Sequence, residues 1–304
     1  MKIGILTATI TESDHFPNII ALKTIGEQKG HCVDVFKNGE FTLLVAKGYT
    51  KVCYAGKEIN TGDYDIILNR LSVREKSNAE YYIINEFSKA GVPVINSPES
   101  IMKARNKLYS LQLMSSMGIN ISRSAVIRRP EDVSVILKDF TYPMVIKNIF
   151  GSLGSSSLIV YDTKQLVSTI DYIWNINRNE IFLIQDFIRS SDGKTTDYRV
   201  FVMGGEIIAS MKRTNSDNDF RANYKRGAKV EPALLTETES EQCLKVSEVF
   251  GLEIAGVDFI RTECGPVFLE INSNPGLEGI RSATRTGSFD ILEKIIDKLG
   301  EYKK

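Results

Sequence analysis

The sequence predicts an α/β fold that gives way to an α+β arrangement in its C-terminal half. Three observations predict it. Short apolar runs alternate with helical stretches from Lys2 to Ile95. Longer, antiparallel-looking strands begin near Thr196 and turn at Gly204-Gly205. A further hairpin, "IAGVDFIRTECGPVFLEIN", joins two extended runs through a Gly-Pro turn near Cys264.

Taken in order, the strand-like runs "KIGIL", "CVDVF", "YDIILN" and "VPVIN" alternate with the helical "PNIIALKTIGEQKG" and "NAEYYIINEFSKAG". This is the pattern of a small parallel unit, residues 1–96. "NSPES" supplies turn and cap chemistry before a helix from Lys103 to Met117, with Leu108, Leu111 and Met114 on one face. A second unit, residues 97–184, carries strands at "SRSAVI", "YPMVIKNI", "SSLIVY" and "EIFLIQDFI", and a helix after Asp162. The third, residues 185–304, holds the two hairpins and, between them, the helix "ESEQCLKVSEVFG". Its closing helix, "SFDILEKIIDKLG", starts from a Ser cap and spaces its apolar residues for packing.

A chain of 304 residues can bury a large core and exceeds one average domain. Its 38 basic residues balance 38 acidic ones, so nothing in the charge demands nucleic acid or an acidic membrane. "MKIGILTATI" reads as a first strand rather than a signal peptide, and no later run approaches membrane-spanning length. A soluble, cytoplasmic protein is expected. Cys32, Cys53, Cys243 and Cys264 lack metal-ligand or disulfide spacing, which fits a reducing compartment. His15 and His31 form no triad or zinc site and read as structural.

Closing the second hairpin symmetrically about Cys264 sets Asp258 across from Glu270. Asn272 then shares their face, while Val257, Phe259, Val267, Leu269 and Ile271 point to the other. Adjacent carboxylates repel unless a cation neutralises them. Oxygen ligands without His or Cys favour Mg²⁺ over Zn²⁺; the alternative is a solvated polar face.

Upstream, "YPMVIKNIFGSLGSSSLIV" places Lys147 at a strand end before a Gly/Ser-rich loop. It is not a Walker A motif, because the Lys precedes the loop. Small residues nevertheless let backbone N–H groups approach phosphate, and a Lys on a strand adds a point charge. A plain hairpin tip with a surface lysine is the alternative. "FLIQDFI" offers a strand-to-linker edge suited to a flat base. Asp197 and Arg199 in "TDYRVF" share a face, as an ion pair or as substrate contacts. "DFRANYKRGA" gathers Arg221, Asn223, Lys225 and Arg226 just after Arg213, suiting either an anionic substrate or a solvated basic loop.

In this order the pieces resemble the ATP-grasp superfamily. "NSPESIMKARNKLYSLQLM", "DYRVFVMGGEIIASMKR", "DFRANYKRGA", "AGVDFIR" and "FLEINSNPGLEGI" are most similar to RimK-type α-L-glutamate ligases, over nearly the full chain. The resemblance implies an ATP-grasp fold of three subdomains, with ATP between the second and third. It implies that Lys107 and Lys147 contact ATP phosphates, with Gly151, Ser152, Gly154, Ser155 and Ser156 in the loop that closes over them. Gln185, Asp186, Phe187 and Ile188 would hold adenine, and Asp197 would face the nucleotide. Arg199, Arg213, Arg221, Asn223 and Arg226 would contact phosphates or the substrate carboxylate, with Arg213, Asn223 and Arg226 nearest the chemistry. Asp258, Glu270 and Asn272 would hold two Mg²⁺ ions, for which Mn²⁺ can substitute. Serines in "GSLGSSS" stand where family loops often have glycine.

The implied activity is ATP-dependent carboxylate-amine ligation through an acyl phosphate. L-glutamate, or another amino acid, would be joined to a carboxylate acceptor such as the C-terminus of a ribosomal or carrier protein. Small-molecule acids are the alternative acceptors, and an ATP-grasp kinase or a non-catalytic nucleotide-binding module the alternatives of another class. Neither membrane nor direct nucleic-acid contact is expected, and a homo-oligomer is compatible with the pattern.

Overall fold

A computed structural model of the chain describes residues 1–8, 16–73, 78–149, 157–215, 224, 227–285 and 290–302. The first unit contains the parallel sheet expected from its alternating pattern. Strands β1 (Lys2–Thr7), β2 (Cys32–Lys37), β6 (Ile66–Asn69) and β7 (Val94–Ile95) lie in the order β2-β1-β6-β7. Helices α1 (Phe16–Gln28) and α2 (Ala79–Lys89) follow β1 and β6 in the chain. Central parallel strands are covered on both faces, so Ile3, Ile5, Leu6, Ile66 and Ile67 are all apolar and all inaccessible.

Between β2 and β6 the structure adds a feature that the sequence pattern did not reveal. Strands β3 (Phe41–Ala46), β4 (Tyr49–Tyr54) and β5 (Lys57–Ile59) form an antiparallel meander. Its outer side is wet, with Leu44 and Val45 exposed, so the alternation that marks a half-buried strand is blurred. Phe41 and Tyr54 attach it to the first unit by packing on Phe36.

The expected helix from Lys103 to Met117 is two helices. Ser97 caps α3 (Pro98–Arg105), and Asn106 leaves helical geometry to cap α4 (Lys107–Ser116) by accepting from the Tyr109 N–H. The break makes Lys107 the first residue of a helix, where the backbone dipole is positive. The second sheet, ordered β10-β9-β11-β8, consists of β8 (Ser124–Ile127), β9 (Met144–Asn148), β10 (Ser157–Val160) and β11 (Phe182–Asp186). Helices α5 (Val133–Ile136) and α6 (Thr163–Ile176) bury Val133, Ile136, Leu166 and Ile170 against it.

The third sheet has the order β14-β13-β12-β15-β16. Its strands are β12 (Thr195–Met203), β13 (Glu206–Asn215), β14 (Lys229–Pro232), β15 (Ile254–Thr262) and β16 (Gly265–Asn272). Gly204 and Gly205 turn β12 into β13 with φ of 58° and 72°, the left-handed pair that a tight hairpin needs. Helix α7 (Glu237–Phe250) opens with a Thr236/Glu239 capping box and ends at Gly251. Helices α8 (Leu277–Thr284) and α9 (Ile291–Glu301) complete the chain. Asp290, rather than the expected serine, caps α9 by accepting from the Leu292 N–H.

The expected register Asp258↔Glu270 is present, but it is reached differently. Thr262 pairs with Gly265, so the turn is the two residues Glu263 and Cys264, and an irregularity follows at Asp258/Phe259. Phe259 therefore opposes Phe268, and both are fully buried. Leu269, expected in the core, is only partly buried.

One face of this sheet shares a core with α8, α9 and the first unit, joining Phe201, Met203 and Ile280 to Ile3, Ile5 and Leu68. Asn96 fastens that junction. Its Nδ2 donates to the Ile254 and Ser273 carbonyls at 2.7 and 2.8 Å, and its Oδ1 accepts from the Ile254 N–H at 2.9 Å. All four cysteines are free thiols. Among the described residues no helix is long and apolar enough to cross a membrane.

Candidate active site

The candidate site is assembled from cross-strand neighbours of the third sheet. Alternation on β12 sends Tyr198 and Val200 into one core and sets Asp197 and Arg199 on the opposite side. Register does the rest. Asp197 faces Arg213, Arg199 faces Asp258, and Asp258 faces Glu270. Four strands thus contribute to one charged patch.

Arg199 donates through Nε and Nη2 to the two Asp258 oxygens at 2.7 and 2.5 Å. Arg213 grips Asp197 in the same way at 2.6 and 2.7 Å and also reaches Asp258 Oδ2 at 3.1 Å. Asp258 and Arg213 are 2% and 4% exposed, so each charge depends on its partners in place of water. Burial would push the Asp258 carboxyl up, but Arg199 and Arg213 hold it below its usual range. At Asp197 burial prevails over Arg213, helped by the Asp258 charge, and the carboxyl is raised.

Asn272 completes the group, its Nδ2 lying 3.2 Å from Glu270 Oε1 and 3.4 Å from Asp258 Oδ2. Among the described residues no three His, Cys, Asp or Glu side chains cluster as a metal site. A third ligand would therefore come from the Asn272 amide, whose oxygen and nitrogen exchange places by a side-chain flip. Two carboxylates and an amide oxygen are hard donors and fit Mg²⁺, provided Asp258 shares its oxygens with Arg199.

Two lysines of the second unit stand near this patch. Burial pulls Lys107 and Lys147 below the usual lysine range, and the charge opposing that shift is Glu270 in both cases. Lys107 in turn depresses Lys147. Three side chains from separate stretches of sequence therefore feel one another's charge. The Lys147 ammonium has no hydrogen bond or ion pair among the described residues. An ammonium drawn out of water without a direct counter-ion suits an anionic ligand.

At the end of β11, Gln185 is buried and donates to Ser124 Oγ at 2.9 Å. The Asp186 N–H donates to the Arg123 carbonyl, and the Asp186 carbonyl accepts from Ser122 Oγ. The Phe187 N–H donates to the Pro143 carbonyl. The Ile188 backbone has no hydrogen-bond partner among the described residues, so of these four positions it offers a base the least engaged edge. Gly151, Ser152, Gly154, Ser155, Ser156, Arg221, Asn223 and Arg226 lie outside the described residues.

Arg70, to which the sequence pattern drew no attention, is joined to the turn after β16. Its Nη2 donates to the Pro275 carbonyl at 2.7 Å, and Asn274 Nδ2 donates to the Arg70 carbonyl at 2.6 Å. Burial lowers the Arg70 pKa to about 10, with Glu278 opposing. The available signal was its place just past the carboxyl end of a parallel strand, where open sheets present ligand-binding groups. Pro275 in turn closes over Gly256, where a Cβ would fall 2.7 Å from the proline Cβ.

Comparison with known proteins places the chain in a family. Residues 1–101 match the RimK PreATP-grasp domain, and residues 104–299 match the RimK-like ATP-grasp domain. A protein of Vibrio atlanticus named "Probable alpha-L-glutamate ligase" is 31% identical over 295 residues, covering 96% of this chain and 95% of its own. One of the same name from Psychromonas ingrahamii is 32% identical over 281 residues, covering 90% of each. Among solved structures, the ATP-grasp ligase PsnB complexed with minimal precursor, Mg and ADP superposes with a TM-score of 0.73 at 17% identity, over 100% of this chain and 97% of that one. D-alanyl-alanine synthetase A from Vibrio cholerae gives 0.72 at 14% identity, over 99% and 98%. Two family matches that together span nearly all of the chain, with relatives above 30% identity along almost its full length, establish that the protein belongs to the RimK-like family of ATP-grasp ligases.

Proposed function

We propose that the protein uses ATP to join a substrate carboxylate to the amine of an amino acid, L-glutamate foremost. The acceptor carboxylate is the C-terminal one of a protein or peptide. The observation that carries this reading is that Lys107 and Lys147 both feel the charge of Glu270, which Asn272 bridges to Asp258. Cations for phosphate and oxygens for a divalent metal stand together, as phosphoryl transfer from ATP requires. The relatives' shared name supports glutamate as the amino acid.

In this reading Lys107 and Lys147 bind the nucleotide phosphates, and the end of β11 holds the adenine edge at Ile188. Arg199 and Arg213, with Arg221, Asn223 and Arg226, meet the phosphates and the reacting carboxylate. Asp258, Glu270 and Asn272 would hold Mg²⁺, or Mn²⁺ in its place, which would supply charge neutralisation at the phosphate oxygens. The acceptor carboxylate attacks the γ-phosphorus and ADP departs, leaving an acyl phosphate. The amine then attacks the acyl carbon, the C–O bond to phosphate breaks, and the amine proton passes to phosphate or solvent. Atoms balance as ATP, acid and amine in, and ADP, phosphate and amide out.

The test incubates the protein in cell lysate with ATP, Mg²⁺ and isotope-labelled L-glutamate, and reads label in proteins and small acids by mass spectrometry. Label at a protein C-terminus, with ADP and a hydroxamate when hydroxylamine is added, is the expected result. A stable phosphorylated product without hydroxamate would overturn it in favour of a kinase.

A further inference from the structure

Among its described residues the first unit contributes a strong cation, Arg70, beside the turn after β16, and the proposed reaction does not use it. Arg70 follows β6, whose last residue, Asn69, is buried and accepts from the Leu71 N–H. A guanidinium offers five N–H donors in a fixed fork. At Arg70 a single hydrogen bond is made by these donors among the described residues, to the Pro275 carbonyl. No carboxylate lies within ion-pair distance of it among those residues, although the Glu278 charge is felt at longer range. Glu278 is itself engaged by Asn18 Nδ2 at 2.8 Å. The Arg70 side chain is only partly exposed. This is a partly buried cation with its fork largely unused among the described residues.

Its position is held from both ends. The Arg70 side chain binds the Pro275 carbonyl while its own carbonyl is bound by Asn274. Asn274 stands two residues beyond Asn272, so their backbones are separated by at most about 7 Å. Asn272 is bonded to Asp258 and Glu270, where the phosphates would lie. The guanidinium itself is anchored at Pro275, three residues beyond Asn272 and so within about 11 Å of it along the backbone, which places a small molecule held at Arg70 on the same turn as the Asp258–Glu270–Asn272 group. An α-amino acid suits that placement, because its carboxylate is two bonds from the amine that must attack. A guanidinium matches a carboxylate with two parallel hydrogen bonds, the pairing that an unused fork is shaped to make.

We infer that Arg70, anchored by Asn274 and Pro275, binds the α-carboxylate of the incoming amino acid and sets its amine toward the acyl phosphate. This rests on the proposed ligase reaction and names where its second substrate sits. It makes Arg70 the residue that selects an α-amino acid over a simple amine.

The test measures binding of L-amino acids, L-glutamate first, to the full-length protein with ADP and Mg²⁺ present, alongside the α-amide and the γ-amide of glutamate. Wild type should bind L-glutamate at least tenfold more tightly than its α-amide. Arg70→Met should lose that preference while keeping ADP affinity within twofold, and Arg70→Lys should retain part of it. Equal binding of acid and α-amide by wild type, a preference preserved in Arg70→Met, or no amino acid binding at all would each overturn the inference. The wild-type comparison decides even if Arg70→Met does not fold. Failure of the ligase reading is separate, since it would appear as absence of labelled amide product from wild type whatever Arg70 does.

Discussion

Arg199 on β12 holds both oxygens of Asp258 on β15, at 2.7 and 2.5 Å, and Arg213 adds a third bond to the same carboxylate. A carboxylate has about four lone-pair sites, so most of those on Asp258 are already occupied. A metal ion must share or displace Arg199 to reach it. Arg199→Met should therefore bind Mg²⁺ severalfold more tightly than wild type without nucleotide, while turnover falls by about 10²-fold or more. Calorimetry with the metal alone checks this, and an unchanged metal affinity would sink the competition idea.

Asp197 is the main counter-charge of Arg213, whose side chain is 5% exposed. Asp197→Ala leaves a buried guanidinium with only the shared contact to Asp258. Removing one member of such a pair costs about 3–5 kcal/mol, far more than the pair contributes relative to apolar residues. Urea unfolding of the nucleotide-free protein measures it; a loss below ~1 kcal/mol would contradict the tight pairing.

Lys147 is disfavoured as a cation when no anion is near, because burial lowers its pKa from 10.5 in the folded state. The unfolded chain then binds more protons between the folded value and 10.5, and stability rises with pH across that window. Lys147→Met should be at least as stable as wild type without nucleotide and should lose that slope. Its ADP affinity should fall tenfold or more, about 1.4 kcal/mol. Thermal melts at several pH values and nucleotide titration read both; weaker stability with intact ADP binding would refute the assignment.

Glu270 is only partly buried, so Glu270→Ala should fold normally. It removes a proposed metal ligand and the charge that supports both lysines. Turnover should be abolished and Mg²⁺-dependent nucleotide binding weakened. Normal activity at low Mg²⁺ in this variant would rule out the metal role.

Asn96 makes three buried hydrogen bonds across the junction between the first unit and the third sheet. Asn96→Ala strands the Ile254 N–H and two carbonyls, and should cost at least ~2 kcal/mol. Hydrogen exchange should show the greatest new exposure at Ile254, and uniform protection there would disprove the clasp.

Much of this molecule was legible in its residue order. The parallel strands β1, β2 and β6 announce themselves as short apolar runs between helical ones, and hairpin geometry puts Asp258 beside Glu270. Strand alternation likewise put Asp197 and Arg199 on one face. These features depend on neighbours a few residues apart or across one tight turn, so local pattern suffices. The meander β3–β5 escaped because its outward residues are apolar, and the break at Asn106 because a cap and a helix-interior asparagine look alike in sequence.

Tertiary structure alone decided the rest. The exchange of Leu269 for Phe268 in the core follows from a register irregularity set by packing against Phe259. The grip of Arg199 on Asp258 joins strands 59 residues apart, and the clamp of Arg70 on Pro275 spans 205. Such contacts depend on which sheets dock and in what register, and that is settled by burial summed over the whole core. Composition and periodicity name the groups capable of chemistry, and the folded core determines which of them meet.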